Sequence, residues 1–434
     1  MERELKKELE KVVGKEGIVY ERRKQKELLG GTPSRDSFVL LPSTHEEIAE
    51  ILKIANSKRI PVRTTYYGRF DSKSLSEGGI FLLFSRMKKI ENIDGKNLVA
   101  HVQRGVTFDE LHTALKEHNQ KILPPANACT NSVVETYVMR SVQYAMNRYP
   151  DIQFSNLYAV LPSGDIYKTG SHILSEKIAD WKDEPGPHIC KIYHGGEDIF
   201  GIVSRASIQT FPLMEMRKAR VFHFLEMEKA FEFLKWISRK ELVQEGVLLN
   251  AKEWTNFSSV SYFEGWVSIC GFESFKKHVE FQMRKVSEKA KEMGGVHIED
   301  GDEMGLKFIE TPGMASLEDT VEFFSLFRDI KFFDDLLKDF FLKNGIEPKD
   351  MRTCYISCST GRCVYAKYTL PVKDGNLVKE THKFLLKNGA FVDRLTDGIA
   401  QEYYSKNNLL ELIKKLKDAI DPFNLLNPKR LIEV

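Results

Sequence analysis

Between Pro61 and Met87 the chain reads PVRTTYYGRFDSKSLSEGGIFLLFSRM, a polar loop held between two apolar runs. A loop of this layout wraps a pyrophosphate by presenting successive backbone N–H groups to its oxygens. Glycine serves there because it permits close approach and positive φ. Only Gly68 and the Gly78–Gly79 pair are of that type here. Tyr67, Gly68, Arg69, Phe70, Asp71 and Ser72 are therefore the expected phosphate-contacting run. Gly68 should make the closest approach, with Arg69 or Lys73 supplying positive charge in place of missing N–H donors.

A second candidate is MRTCYISCSTGRC, residues 351–363, where Cys354, Cys358 and Cys363 are spaced four and five apart. That spacing matches none of the usual iron–sulfur runs and leaves a fourth ligand to come from elsewhere. If the segment is a pair of strands, the cysteines are expected to alternate faces and not converge. Buried free thiols are the expectation, and no metal site is assigned.

Several elements must position these groups. Leu40 to Val62 opens with a capping box, Ser43 to Glu46, and places Ile48, Ile51, Leu52 and Ala55 on one helical face before a short strand, a βαβ opening. A second capping box is read at Thr107 to Glu110. From Val221 the order is strand, helix, strand (GVLLNAKEW), strand, helix and a closing strand at VHIED, a ferredoxin-like half-sheet. LEDTVEFFSLFRDIKFFDDLLKDFFLKN then reads as a helical insert whose Phe residues pack in a core or against a partner.

Gly105-Val106-Thr107 after a strand, Leu161-Pro162-Ser163-Gly164-Asp165-Ile166 with Thr169-Gly170, Gly201-Ile202-Val203, and Asp421-Pro422 followed by Asn427-Pro428 occur in a characteristic order. In these residues and their order the chain resembles the vanillyl-alcohol oxidase / p-cresol methylhydroxylase flavoproteins, the group that includes D-lactate dehydrogenases and glycolate oxidase subunits. The resemblance implies an α+β fold with a two-subdomain FAD-binding domain and an antiparallel-sheet cap of ferredoxin-like character. The expected boundaries are an N-terminal helical segment 1–30, the FAD-binding domain 31–215, the cap 216–380, and a C-terminal segment 381–434 returning to the FAD-binding domain.

The same resemblance implies FAD as cofactor, with Ser132, Gly201, Ile202, Val203 and Asn427 beside it and His194 near a flavin-contact turn. Where the family carries Ser/Thr-apolar-Gly-Gly, this chain has Ser132-Val133-Val134-Glu135, and a carboxylate there would repel a diphosphate. Cysteinyl attachment of the flavin has only Cys129 as a candidate, and histidyl attachment has none within Thr64 to Ser72. The paired histidines that bind metal in the family's 2-hydroxy-acid dehydrogenases are missing near Cys358. On the cap sheet and the near-terminal segments, Arg362, Tyr365, Tyr368 and Arg394 are the residues expected to clamp a substrate carboxylate and move its hydroxyl proton. Two functions stay open on these grounds. One is an FAD-dependent dehydrogenase of a small hydroxy acid or alcohol that passes electrons to an iron–sulfur or other electron-transfer subunit. The other is a flavin-less paralogue serving as a structural or assembly subunit of a redox complex.

Composition sets the outer bounds. With 434 residues and 42% hydrophobic content the chain can bury a large core in two or more domains. A formal net charge of +2 gives no global field for nucleic acid. The charged opening MERELKKELEKVV lacks the apolar region of a secretory signal, and no apolar run reaches the length of a bilayer span. With only 6 cysteines a disulfide scaffold is not expected, and a reducing cytoplasm is the expected compartment.

Overall fold

The computed structural model describes residues 2–65, 70–128, 130–149, 154–173, 187–259, 264–392, 399–405 and 408–432. Helices α1 (Glu2–Val13) and α2 (Arg22–Leu29) precede a βαβ unit built from β1 (Phe38–Leu40), α3 (His45–Lys58) and β2 (Val62–Thr64). After α4 (Ser72–Glu77) comes β3 (Ile80–Leu82), which lies between β1 and β2 in a parallel sheet. Ile48, Ile51, Leu52 and Ala55 of α3 are buried as their spacing predicts. The cap differs by one residue: Thr44, not Ser43, accepts from the Glu47 amide, while Ser43 donates to the Glu47 carboxylate. Gly78 ends α4 at φ 75°. A Cβ on Gly79 would lie 2.5 Å from the Pro61 carbonyl, so this glycine pair serves the close entry of β3 beside β2.

Four long strands and one short one form the second, antiparallel sheet. They are β4 (Ile90–Asp94), β5 (Val99–Gln103), β7 (Phe154–Val160), β8 (Ile166–Lys168) and β9 (Ile202–Gln209), in the order β4-β5-β9-β7-β8. Helix α5 (Phe108–Lys116) starts at Thr107 with both hydrogen bonds of its capping box formed, as the sequence predicts. The short β6 (Gln120–Lys121) pairs with β10 (Phe211–Pro212), and α6 (Val133–Val138) lies wholly buried.

The cap is a seven-stranded sheet. Its first half is β11 (Met216–Phe224), α7 (Met227–Arg239), β12 (Glu245–Asn250), α8 (Ala251–Ser258), β13 (Trp266–Ser274), α9 (Lys276–Glu292) and β14 (Val296–His297). The order β14-β11-β13-β12 is the ferredoxin-like arrangement expected from sequence. Here AKEW is not strand: Asn250 caps the Glu253 amide and turns the chain into α8. After α10 (Asp302–Glu310), β15 (Thr320–Leu326), α11 (Ile330–Lys343), β16 (Arg352–Cys358) and β17 (Cys363–Thr369) extend the sheet as β12-β16-β17-β15. The expected helical insert is thus half strand. Val321 and Phe323 alternate into the core, and only from Ile330 does the pattern become helical.

The sheet's outer edge is covered by α12 (Gly375–Lys387). The neutral ring of His382 accepts from the edge amide of Glu322, which blocks edge pairing. Burial pushes that imidazole down to about 4. Helices α13 (Ile399–Ser405) and α14 (Leu409–Ile420) lead back to the first sheet. There the Val62 amide donates to the Leu425 carbonyl and the Asn427 amide donates to the Val62 carbonyl, on either side of the fully buried Leu426, extending the edge of β2. Across the two halves of the molecule, Lys121 of β6 pairs with Glu273, which also faces Arg217.

Candidate active site

The root of the expected phosphate loop is rigid. Thr64 donates its amide to Asn427 Oδ1 at 2.9 Å, and Asn427 returns its Nδ2 to the Thr64 hydroxyl at 3.0 Å and to the Glu197 carbonyl at 3.3 Å. Arg430 donates to the Thr64 carbonyl at 2.7 Å. Tyr67, Gly68 and Arg69 lie outside the described residues. Phe70 does not face a ligand; it is buried edge-on against Phe81. Asp71 is the N-cap of α4, accepting from the Ser74 amide. Burial resists ionisation of this carboxyl, but the Ser74 hydrogen bonds, Arg430 and Arg63 outweigh it and hold it below the usual range. Ser72 and Lys73 line a cavity of about 490 Å³ together with Arg63, Lys379, Lys429 and Arg430. Arg63 and Lys429 are paired with Glu77 there, and Lys73, Lys379 and Arg430 are the other cations of the lining.

Beneath this loop lies a buried ionic network that the sequence reading did not find. Arg104 donates to both oxygens of Asp198 at 3.0 and 2.7 Å, and to the Val203 carbonyl at 3.2 Å. Its guanidinium covers the Phe84 ring at 4.2 Å. The Thr64 hydroxyl completes Asp198 at 2.9 Å. Glu135 stands 4.0 Å from Arg104 and accepts from Thr65. Burial raises the Glu135 pKa against the pull of Arg104. The carboxyl that the sequence sets against a diphosphate thus faces the Arg104 guanidinium and the Thr65 hydroxyl. Ser132 itself caps α6, accepting from the Glu135 amide and donating to the Arg104 carbonyl.

Gly201 precedes β9, which Ile202 and Val203 start. The Ile202 and Val203 side chains are core, and the contribution of Val203 is the carbonyl that fixes Arg104. His194 packs on Phe154, with its pKa pushed down to about 3 by burial. At the C-terminal end, buried Lys417 donates to Asp421, Ile199 and Leu426 and locks the returning segment.

On the cap, the structure does not bring the expected catalytic set together. Tyr365 and Tyr368 lie on opposite faces of β17. Tyr368 is in the helix-covered core with Tyr355 and Asp334, while Tyr365 shares the other face with Lys367. Arg362 is exposed in the turn before β17, and Arg394 lies outside the described residues. The face bearing Lys367 borders a second cavity of about 370 Å³ lined by Tyr144, Glu253, Arg352, Cys354 and the 311–316 loop. Lys367 donates to the Met314 and Ala126 carbonyls, and Gly313 is required there because a Cβ would lie 2.4 Å from Ala126 O.

The expectation that the three cysteines diverge is corrected by the same ladder. A spacing of four keeps Cys354 and Cys358 on one face, and Cys363 sits directly across from Cys358. Even so, among the described residues no group of three or more Cys, His, Asp or Glu is placed to hold a metal. Cys129 lies outside the described residues. Among them, too, no helix is long and apolar enough to cross a membrane.

Residues 37–170 match the FAD binding domain family. An uncharacterized FAD-linked oxidoreductase of Mycobacterium tuberculosis is 28% identical over 210 residues, 47% of this chain and 44% of that protein. The glycolate oxidase subunit GlcD of Bacillus subtilis is 30% identical over 188 residues, 42% of this chain and 38% of its own. A D-lactate dehydrogenase of Archaeoglobus fulgidus is 30% identical over 215 residues, 48% and 46%. The matched stretch thus spans less than half the length of each relative. Among solved structures, 4-ethylphenol oxidase from Gulosibacter chungangensis superposes with a TM-score of 0.79 at 18% identity, covering 99% of this chain and 97% of its own. p-Cresol methylhydroxylase gives 0.76 at 17% identity over the same shares. With glycine-poor loops but an intact βαβ frame and a capping sheet, the chain has the fold of these two structures, and its residues 37–170 form an FAD-binding domain with FAD as the cofactor.

Proposed function

We propose that the protein is an FAD-dependent oxidoreductase that oxidises the CH–OH group of a small hydroxy acid or alcohol and passes the electrons to a partner electron-transfer subunit. The observation that carries this reading is the FAD-binding domain at residues 37–170. The named relatives, a glycolate oxidase subunit and a D-lactate dehydrogenase, support the substrate class, and GlcD's designation as a subunit supports the partner.

Bound FAD supplies a two-electron acceptor for a substrate C–H bond. This chain's own residues have three tasks. Lys73 and Arg430 balance the diphosphate charge at the cavity they line. In the cap cavity, Lys367 and Arg352 are the cations that a substrate carboxylate meets. Glu253, 3.4 Å from Arg352, is the acceptor for the hydroxyl proton, and the Tyr144 hydroxyl, kept protonated by burial, is a donor. Tyr365 supports this face from β17.

Purified protein should show the visible absorption of oxidised flavin, which bleaches anaerobically on adding D-lactate or glycolate. A flavin that stays oxidised with a panel of hydroxy acids and alcohols refutes the substrate class, and a preparation that takes up no flavin refutes the whole reading. Lys367→Met should raise KM for a hydroxy acid by about tenfold to a hundredfold, the loss of one charged hydrogen bond of about 1.5–3 kcal/mol. A KM unchanged in that variant would remove Lys367 from the site.

A further inference from the structure

The hairpin of β16 and β17 ends on Cys358 facing Cys363, closed by Ser359, Thr360, Gly361 and Arg362. Directly opposed residues in an antiparallel pair have Cα atoms about 4.5–5.5 Å apart, inside the roughly 4.4–6.8 Å that a disulfide accepts. The ends of the hairpin therefore need not move for the two sulfurs to join. Its turn is held from outside: the Ser359 and Thr360 amides donate to the Met146 and Asn147 carbonyls at 2.9 Å each. The Gly361 amide and Ser357 hydroxyl both reach Asn147 Oδ1 at 3.1 Å.

The two thiols are not equivalent. Cys358 is 1% exposed, whereas Cys363 is only partly buried and lines a cavity of about 490 Å³ with Phe324, Leu326, Phe332 and Phe391. We propose that Cys358 and Cys363 form a hydroperoxide-reactive dithiol, Cys363 as the attacking sulfur and Cys358 as the resolving one. No step of the flavin reaction uses either residue. The hydrogen bond from the Cys358 thiol lowers the Cys363 pKa to about 7, which supports this assignment of roles.

In the first step the Cys363 thiolate attacks one peroxide oxygen. The O–O bond breaks, hydroxide leaves, and Cys363 becomes a sulfenic acid. In the second, the Cys358 sulfur attacks the sulfenic sulfur, forming the S–S bond and breaking S–O. The thiol proton and the departing hydroxide leave as water. Two thiols give up two electrons, and one hydroperoxide is reduced to water.

The test uses purified protein and hydrogen peroxide in small molar excess, with thiols counted after denaturation without reductant. The expected result is loss of two of the six thiols, restored by dithiothreitol. Because trypsin cleaves after Arg362, the product is peptide 353–362 joined to peptide 363–367, and fragmentation assigns the bond to Cys358 and not Cys354. The reaction rate should rise about tenfold from about pH 6 to pH 8, following the thiolate fraction. Cys363→Ser should abolish the loss, and Cys358→Ser should leave a Cys363 sulfenic acid that dimedone traps. An unchanged thiol count in the wild type, a bond joining other cysteines, or undiminished loss in Cys363→Ser would each overturn the proposal. The wild-type peptide map decides even if a variant misfolds.

Discussion

Replacing Asp198 by Ala removes the partner of a buried guanidinium. Arg104 and Asp198 have side-chain exposures of 2% and 4%, and the change deletes both Arg104–Asp198 hydrogen bonds and the one from Thr64. Breaking such a pair from one side costs about 3–5 kcal/mol because a charge stays behind. Glu135 remains 4.0 Å from Arg104 and loses the Asp198 charge that helped raise its pKa, so it takes up part of the compensation. The cost should fall at the lower end, about 3 kcal/mol. With about 2.1 cal/mol/K per residue of unfolding entropy, this 434-residue chain should lose roughly 3 °C of Tm if it melts as one unit. Urea unfolding followed by circular dichroism reads the free energy directly. The double variant Arg104→Met with Asp198→Leu should be less destabilised than Asp198→Ala alone, since no unpaired charge is buried. An Asp198→Ala protein within about 0.5 kcal/mol of wild type, or a double variant worse than the single, refutes the argument.

Three other outcomes follow from single contacts. Because burial raises the Glu135 pKa above the usual 4.5 of a glutamate, its proton stabilises the fold fully below that value, and this contribution is lost as pH rises through the folded pKa. Glu135→Gln should therefore gain on the wild type as pH rises above 4.5, and urea midpoints that stay parallel through that rise would contradict the burial argument. Gly105→Ala places a Cβ 2.1 Å from the Phe84 carbonyl and 2.9 Å from that of Met87, both backbone, and should cost about 3 kcal/mol or more, read from thermal melts. Asn427→Ala strands the Thr64 amide and should cost about 1–3 kcal/mol while exposing the C-terminal segment to limited proteolysis; a cleavage pattern like wild type would show that the tail is held by other contacts.

The fold was legible where local signals act on neighbours. The capping box at Thr107, the apolar face of α3 and the strand–helix order of the first cap half each specify an element within a dozen residues. The misread elements failed for equally local reasons. Asn250 ends a run that looks continuously apolar, and its capping of Glu253 outweighs the strand pattern ahead of it. The Phe-rich stretch from Thr320 satisfies a period of two as well as a helical one, and the free edge of β17 decides for strand. The Cys354 to Cys363 run was misjudged by parity: an even spacing returns to the same face, and a hairpin folds the third cysteine back across the first pair's face.

The site was less legible because its members meet only in three dimensions. Arg104 and Asp198 are 94 residues apart, and Thr64 and Asn427 363. Two signals stood in the sequence all the same: an Arg closing the apolar run LVAHVQ, and adjacent acids in GGEDIFG. The second pair proves to sit at positive φ, 51° for Glu197 and 58° for Asp198, a strained turn that aims one carboxylate at the buried guanidinium. This alters what the missing glycines mean. A glycine loop binds phosphate with backbone N–H groups, which need close approach, whereas a guanidinium or ammonium binds it across a longer and more permissive reach. A chain that places Lys73, Lys379 and Arg430 around one cavity, and turns the Glu135 carboxyl toward Arg104, has cations to set against an anion where those glycines are missing.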